Sequence, residues 1–170
     1  MALEVEEGSG KAEAETYISV EDADDYIDRW HDSTDWGELE SSEKERALRR
    51  ATRYVDSHRF RGWKSYHEQA LAWPRAGVGW VDGREVLTTD IPQAIKSATI
   101  EAALRDAQGE DLMPDHDGAT VESEERSVGP LSKRTSYATP KATGAKRFEA
   151  IRALLRPYLW SSSGLSRSIA

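Results

Sequence analysis

The sequence predicts a mainly α fold: a small helical domain of about four helices, one or two short β-hairpins, and long loops and termini. Three observations carry that expectation. Apolar residues recur at helical spacing in four stretches. Asp82-Gly83 stands between two short runs as a two-residue hairpin turn. Residues 1–16, 139–147 and 161–170 have no periodicity, so structure should concentrate between 17 and 160 as one domain.

Residues 1–16, rich in Glu, Gly, Ala and Ser, read as a disordered acidic leader. Ser19 opens a capping-box-like run ending at Asp22. Val20, Ala23, Tyr26, Ile27 and Trp30 then give a first helix over about 19–31. Trp36 and Leu39 of the following polar loop should fold back on the core. Ser41 or Ser42 should cap a second helix, whose apolar stripe is Ala47, Leu48, Ala51, Tyr54 and Val55. Residues 59–80 read as a loop pinned by buried tryptophans, with Trp73 extended before Pro74.

The stretch Asp90 to Gly109 organises the rest. Asp90 is the expected cap, Pro92 suits the first turn, and Gly109 is a natural stop. Between them Ile91, Ala94, Ile95, Ala98, Ala102 and Ala103 recur at helical spacing. Ile100 and Leu104 add a second apolar face, which predicts burial on more than one side. Residues 119–138 suggest a longer hairpin turning near Gly129-Pro130, with Lys133, Arg134 and Tyr137 on its basic return arm. Phe148, Ile151, Leu154, Leu155 and Tyr158 mark a final helix that Pro157 should end. Residues 161–170 are a Ser-rich tail, either disordered or ordered on a partner.

Charge is split along the chain. Residues 1–45 hold 16 acids and three bases, residues 46–125 hold 14 and 11, and residues 126–170 hold one and nine, giving the net −8. An acidic front and a basic tail favour head-to-tail association over uniform aggregation. With no cysteine there is no disulfide framework, thiolate metal site or cysteine nucleophile. No apolar run is long enough for a membrane span, and no secretion signal stands at the N-terminus.

Catalytic patterns fail one by one. His31, His58, His67 and His116 are scattered without ligand spacing on one helix. Ser41 and Lys44 match a serine–lysine spacing without its companion motifs and read as a helix start. Gly77 and Gly79 begin a dinucleotide-like pattern whose third glycine would fall at Asp82. Asp115, Asp117, Gly118 and Glu124 fit part of a calcium loop, but Met113 holds its first position. The expectation is a protein without enzymatic activity, metal or cofactor. One binding pattern does stand out. Arg59, Arg61, Trp63, Lys64, Trp73 and Arg75 interleave aromatics with cations, as single-stranded nucleic-acid binders do.

The run Tyr17-Ile18-Ser19-Val20-Glu21-Asp22-Ala23-Asp24-Asp25-Tyr26 resembles the opening of tailed-phage and prophage head–tail connector (adaptor) proteins. Ala51-Thr52-Arg53-Tyr54-Val55-Asp56, Gln69-Ala70-Leu71-Ala72-Trp73-Pro74-Arg75, Asp82-Gly83-Arg84, Ile91-Pro92-Gln93-Ala94-Ile95 and Val128-Gly129-Pro130-Leu131 extend the likeness. Relatives are also labelled as resembling a single-stranded-DNA-binding primosomal protein. The resemblance implies a structural virion protein forming a ring, commonly of twelve copies, beneath the portal. It would extend the channel for double-stranded DNA, without binding it specifically, and dock the next neck or tail protein. Such a protein is assembled in the bacterial host cytoplasm, away from membranes. Charge then suggests Asp24, Asp25 and Asp28 against Arg46, Arg49, Arg50 and Arg53 as the contact between copies. Lys146, Arg147, Arg152, Arg156, Leu165, Arg167 and Ile169 would dock on the portal.

Overall fold

The central helix of the helical unit is α4, Gln93–Ala107, and eight of its residues are buried. Ile95, Ala98 and Ala102 bury fully on it, and so do Ile100 and Ala103. A helix apolar on more than one side must be covered on more than one side. Here α3, Ser41–Asp56, and α5, Glu149–Leu155, both pack on it. Its alanines let those neighbours approach closely, and Thr99 satisfies its own hydroxyl by donating to the Ile95 carbonyl (2.9 Å). Each fully buried Ile or Leu in this layer stabilises the fold by about 1.5–3 kcal/mol.

The computed structural model describes residues 3–113, 121–126, 133–137 and 148–160. The protein is mainly α, with three two-stranded antiparallel sheets among the described residues. It divides into two units, Met1–Leu112 with Phe148–Ala170, and Met113–Arg147. The first helix, α1, is Val20–Trp30, capped by the Ser19 hydroxyl. A four-residue helix, α2 (Thr34–Gly37), follows and buries Trp36, as the sequence suggested for that ring.

Two expected caps are replaced. Glu40, not Ser41 or Ser42, caps α3, in a reciprocal capping box with Glu43, so both serines already lie in the first turn. Pro92 holds the cap position of α4. Asp90 instead accepts from the Leu87 N–H (2.8 Å) and closes its own turn. Gly109 ends α4 as expected, at φ +77°.

The larger correction concerns the N-terminus. Composition predicted a disordered leader over 1–16, yet Glu6, Ala14 and Thr16 are buried. The Glu6 carboxylate accepts from the backbone N–H of Gly8 (2.8 Å), Gly10 (2.9 Å) and Lys11 (2.7 Å). Its charge thus replaces the missing backbone partners of a tight turn. Arg49 then holds the segment to α3 through Glu15 (2.8 Å).

The strands are short. β1 (Trp63–Lys64) pairs with β2 (Arg75–Ala76), and β3 (Trp80–Val81) with β4 (Arg84–Glu85). Asp82 and Gly83 both take positive φ between β3 and β4, the backbone an Asp-Gly hairpin turn requires. In the second unit β5 (Val121–Arg126) pairs with β6 (Lys133–Tyr137). The longer hairpin expected over 119–138 is therefore present, while its Gly129-Pro130 turn and the 139–147 linker lie outside the described residues. So do Asp115, Asp117 and Gly118 of the partial calcium pattern. After α5 a 3₁₀ turn, Arg156–Tyr158, carries Pro157 and ends the helix.

Candidate nucleic-acid interface

The loop from Arg59 to Val81 sorts its aromatics into two roles. Trp73 is fully buried, with Phe60 and Tyr158 packed edge-on against it at centroid distances of 5.6 Å each. Its backbone N–H donates to the Tyr17 hydroxyl (3.1 Å), which donates in turn to Asp56 Oδ1. Asp56 Oδ2 accepts from the Ala72 N–H (2.8 Å). Burial pushes the Asp56 carboxyl above the usual carboxylate value, and burial beside Asp56 pushes the Tyr17 phenol up. Since the folded protein holds that Asp56 proton more tightly than the unfolded chain, its stabilising contribution is fullest below the unfolded value. It is lost as pH rises through the folded one. Asp56→Asn is accordingly expected to remove a fall in stability as pH rises from the unfolded to the folded value, read by denaturant titrations at several pH values. An unchanged slope would show Asp56 titrating as it does when unfolded.

Two of the expected binding cations are spent on the loop itself. Arg75 donates to the carbonyls of Arg61 (2.7 Å), Gly62 (2.7 Å) and Ala72 (3.0 Å). Burial lowers its pKa, and its guanidinium lies 5.9 Å from the Phe60 ring centroid. Lys64 Nζ donates to the carbonyls of Gln69 (3.1 Å) and Ala70 (3.0 Å). Trp73, Lys64 and Arg75 therefore staple the loop together.

Of the other three residues, Arg59 and Trp63 are exposed and Arg61 is half-buried. Arg59 and Arg61 flank the buried Phe60, which bridges to Leu159 in antiparallel fashion. Arg61 N–H donates to the Tyr158 carbonyl (2.9 Å), and Trp160 N–H donates to the Arg59 carbonyl (2.8 Å). This brings Trp160, 52% exposed, beside Arg59, whose guanidinium sits 5.1 Å from its ring centroid. Trp63 and Trp80 are each 66% exposed. A Cβ on Gly77 would lie 2.4 Å from the Trp63 ring, so the missing side chain makes room for that indole. Arg61 also donates to the Pro157 carbonyl (3.0 Å), and its other terminal nitrogen stands beside Gly79, next to Trp80. Three exposed indoles and two arginines thus come from adjacent segments at 59–63, 77–80 and 157–160. The Arg/Trp-rich stretch from Arg59 to Trp80 marked this loop, but Trp160 escaped it because it is distant in sequence.

A family model described as "Putative DnaT-like ssDNA binding protein" matches residues 1–169. The chain belongs to that family. No curated protein and no solved structure matches it.

The remaining candidate residues of this DnaT-like chain are placed as follows. Asp24 accepts from Trp36 Nε1 (2.6 Å) and Lys44 Nζ (3.0 Å). Arg49 bonds Glu15 and Glu45, which holds its pKa up, and Arg50 grips the Asp106 carboxylate. Arg46 lies beside Glu43 (3.5 Å). Of the groups suggested for contact between copies, Asp25 and Asp28 are exposed on α1 and Arg53 on α3. Arg152 and Arg156 are exposed on α5 and the turn after it. Lys146, Arg147, Leu165, Arg167 and Ile169 lie outside the described residues. Among the described residues no cluster suits a metal ion, and no helix is long and apolar enough to cross a membrane.

Proposed function

We propose that this chain binds single-stranded nucleic acid on Trp63, Trp80 and Trp160, with Arg59 and Arg61 meeting phosphates, and performs no reaction on it. The observation that carries the reading is the exposure of these three indoles near an exposed Arg59 and a half-buried Arg61. Rings so exposed leave apolar area in water that stacking on bases would cover. The family description supports the same ligand class. Trp73→Ala is unsuited to the test because that ring is buried; the informative variants are Trp63→Ala and Trp160→Ala.

Each is expected to weaken binding of a short oligonucleotide about tenfold or more, the scale of one stacked base. Fluorescence titration at low salt measures it. Two arginines on an acidic chain should also give shallow salt dependence, with a slope of log affinity against log salt of about −1.4. No binding at low salt, or binding indifferent to both substitutions, would refute this reading.

A second reading has its own support, the likeness of motifs from Tyr17 to Leu131 to head–tail connectors together with a second, strand-paired unit. In it copies form a ring under a phage portal, located in the virion neck, and dock the next neck or tail protein. Arg152 and Arg156 would then face the portal together with the tail. Copurification with a portal protein, and a ring seen by imaging, distinguish it from the nucleic-acid reading.

A further inference from the structure

The second unit holds a feature that neither the buried core nor the tryptophan surface uses. β5 and β6 pair only with each other among the described strands, leaving each with one outer edge. A lone two-stranded ribbon is marginal in water, and an open edge is a template for another strand. The two edges differ in charge by sequence. β5, Val121–Arg126, carries Glu122, Glu124 and Glu125 against Arg126. β6, Lys133–Tyr137, carries Lys133 and Arg134 and no acid.

We propose that this unit is an interface between copies of the chain, in which β5 of one copy pairs with β6 of the next. Like edges repel, so β5 on β5 and β6 on β6 are disfavoured, and the opposite edges attract. The contact joins two different surfaces and therefore propagates from copy to copy until it closes. Rotation about an axis along the strands keeps every β5 pointing the same way. Each new pair is then antiparallel, as β5 and β6 already are within one copy. Closure leaves no edge open. The proposal is independent of the nucleic-acid reading. It would serve a connector ring, yet its test reads association alone and can succeed where portal attachment fails.

The full chain is examined by sedimentation across a concentration series. Species larger than the monomer are expected, fading as salt rises. One variant reverses β5 (Glu122→Lys, Glu124→Lys, Glu125→Lys) and a second reverses β6 (Lys133→Glu, Arg134→Glu). Each alone is expected to lose association, because both its edges then share one sign. An equal mixture should regain it, since positive and negative copies can alternate, a rescue that misfolding of either variant cannot produce. A wild-type chain that stays single at every concentration overturns the proposal. So does a mixture that stays single, or either variant associating as well as wild type.

Discussion

Trp73→Ala is expected to destabilise the protein by about 3–5 kcal/mol, the usual cost of truncating a large buried aromatic. Against a typical total of about 5–15 kcal/mol, that is a large share. The indole is fully buried, and the edges of Phe60 and Tyr158 both rest on it. Each such ring pair adds about 0.5–1.5 kcal/mol beyond area alone. Denaturant unfolding measures the loss, and Trp73→Phe should recover part of it by refilling the cavity. The same variant should weaken oligonucleotide binding without touching the ligand. Phe60 positions Arg59 and Arg61, and Tyr158 leads to Trp160, so the exposed face is hung on a ring that solvent does not reach. A destabilisation below about 1 kcal/mol would mean that the loop is held elsewhere.

Glu6→Ala should release the N-terminal segment while the helices stay folded. Three backbone donors lose their acceptor at once, one of them buried and two partly so. An unsatisfied buried donor costs about 1–3 kcal/mol, and partial exposure lets water recover some of it, so about 3 kcal/mol is expected in all. The turn has no easy substitute. Gly8 sits at φ +105°, and a Cβ there would stand 2.0 Å from the Thr89 carbonyl oxygen. Hydrogen exchange over residues 3–16 reads the release directly. Glu6→Gln, which retains one acceptor oxygen, should be intermediate. Protection as strong as wild type in Glu6→Ala would show that Arg49 and Glu15 suffice to hold the segment.

The sequence announced those elements whose signal is local and repetitive. α1, α3, α4 and α5 follow apolar spacing, and the β3–β4 turn follows Asp82-Gly83, because only such a pair accepts two positive φ values cheaply. The N-terminal segment was illegible because its order comes from one carboxylate turned inward onto three amides. Composition reads any such Glu as solvated. The tryptophans were legible as a group and not one by one. Trp63, Trp73 and Trp80 lie in the same kind of sequence, and which ring is buried depends on Tyr158 and Phe60 meeting from distant segments. Likewise Lys64 and Arg75 looked like phosphate ligands, yet nearby carbonyls claim them.

The pairing of residues 59–61 with 157–160 spans at least 96 positions, the separation of Arg61 from Pro157. A nascent chain leaving the ribosome would therefore carry Trp73 and one flank of α4 uncovered until α5 emerges. The intervening 113–147 excursion has to be synthesised before that gap can close. Chain closure over such a span costs only slowly more with length, so the delay falls on kinetics far more than on final stability. During that interval the half-made protein would be a natural client for a chaperone.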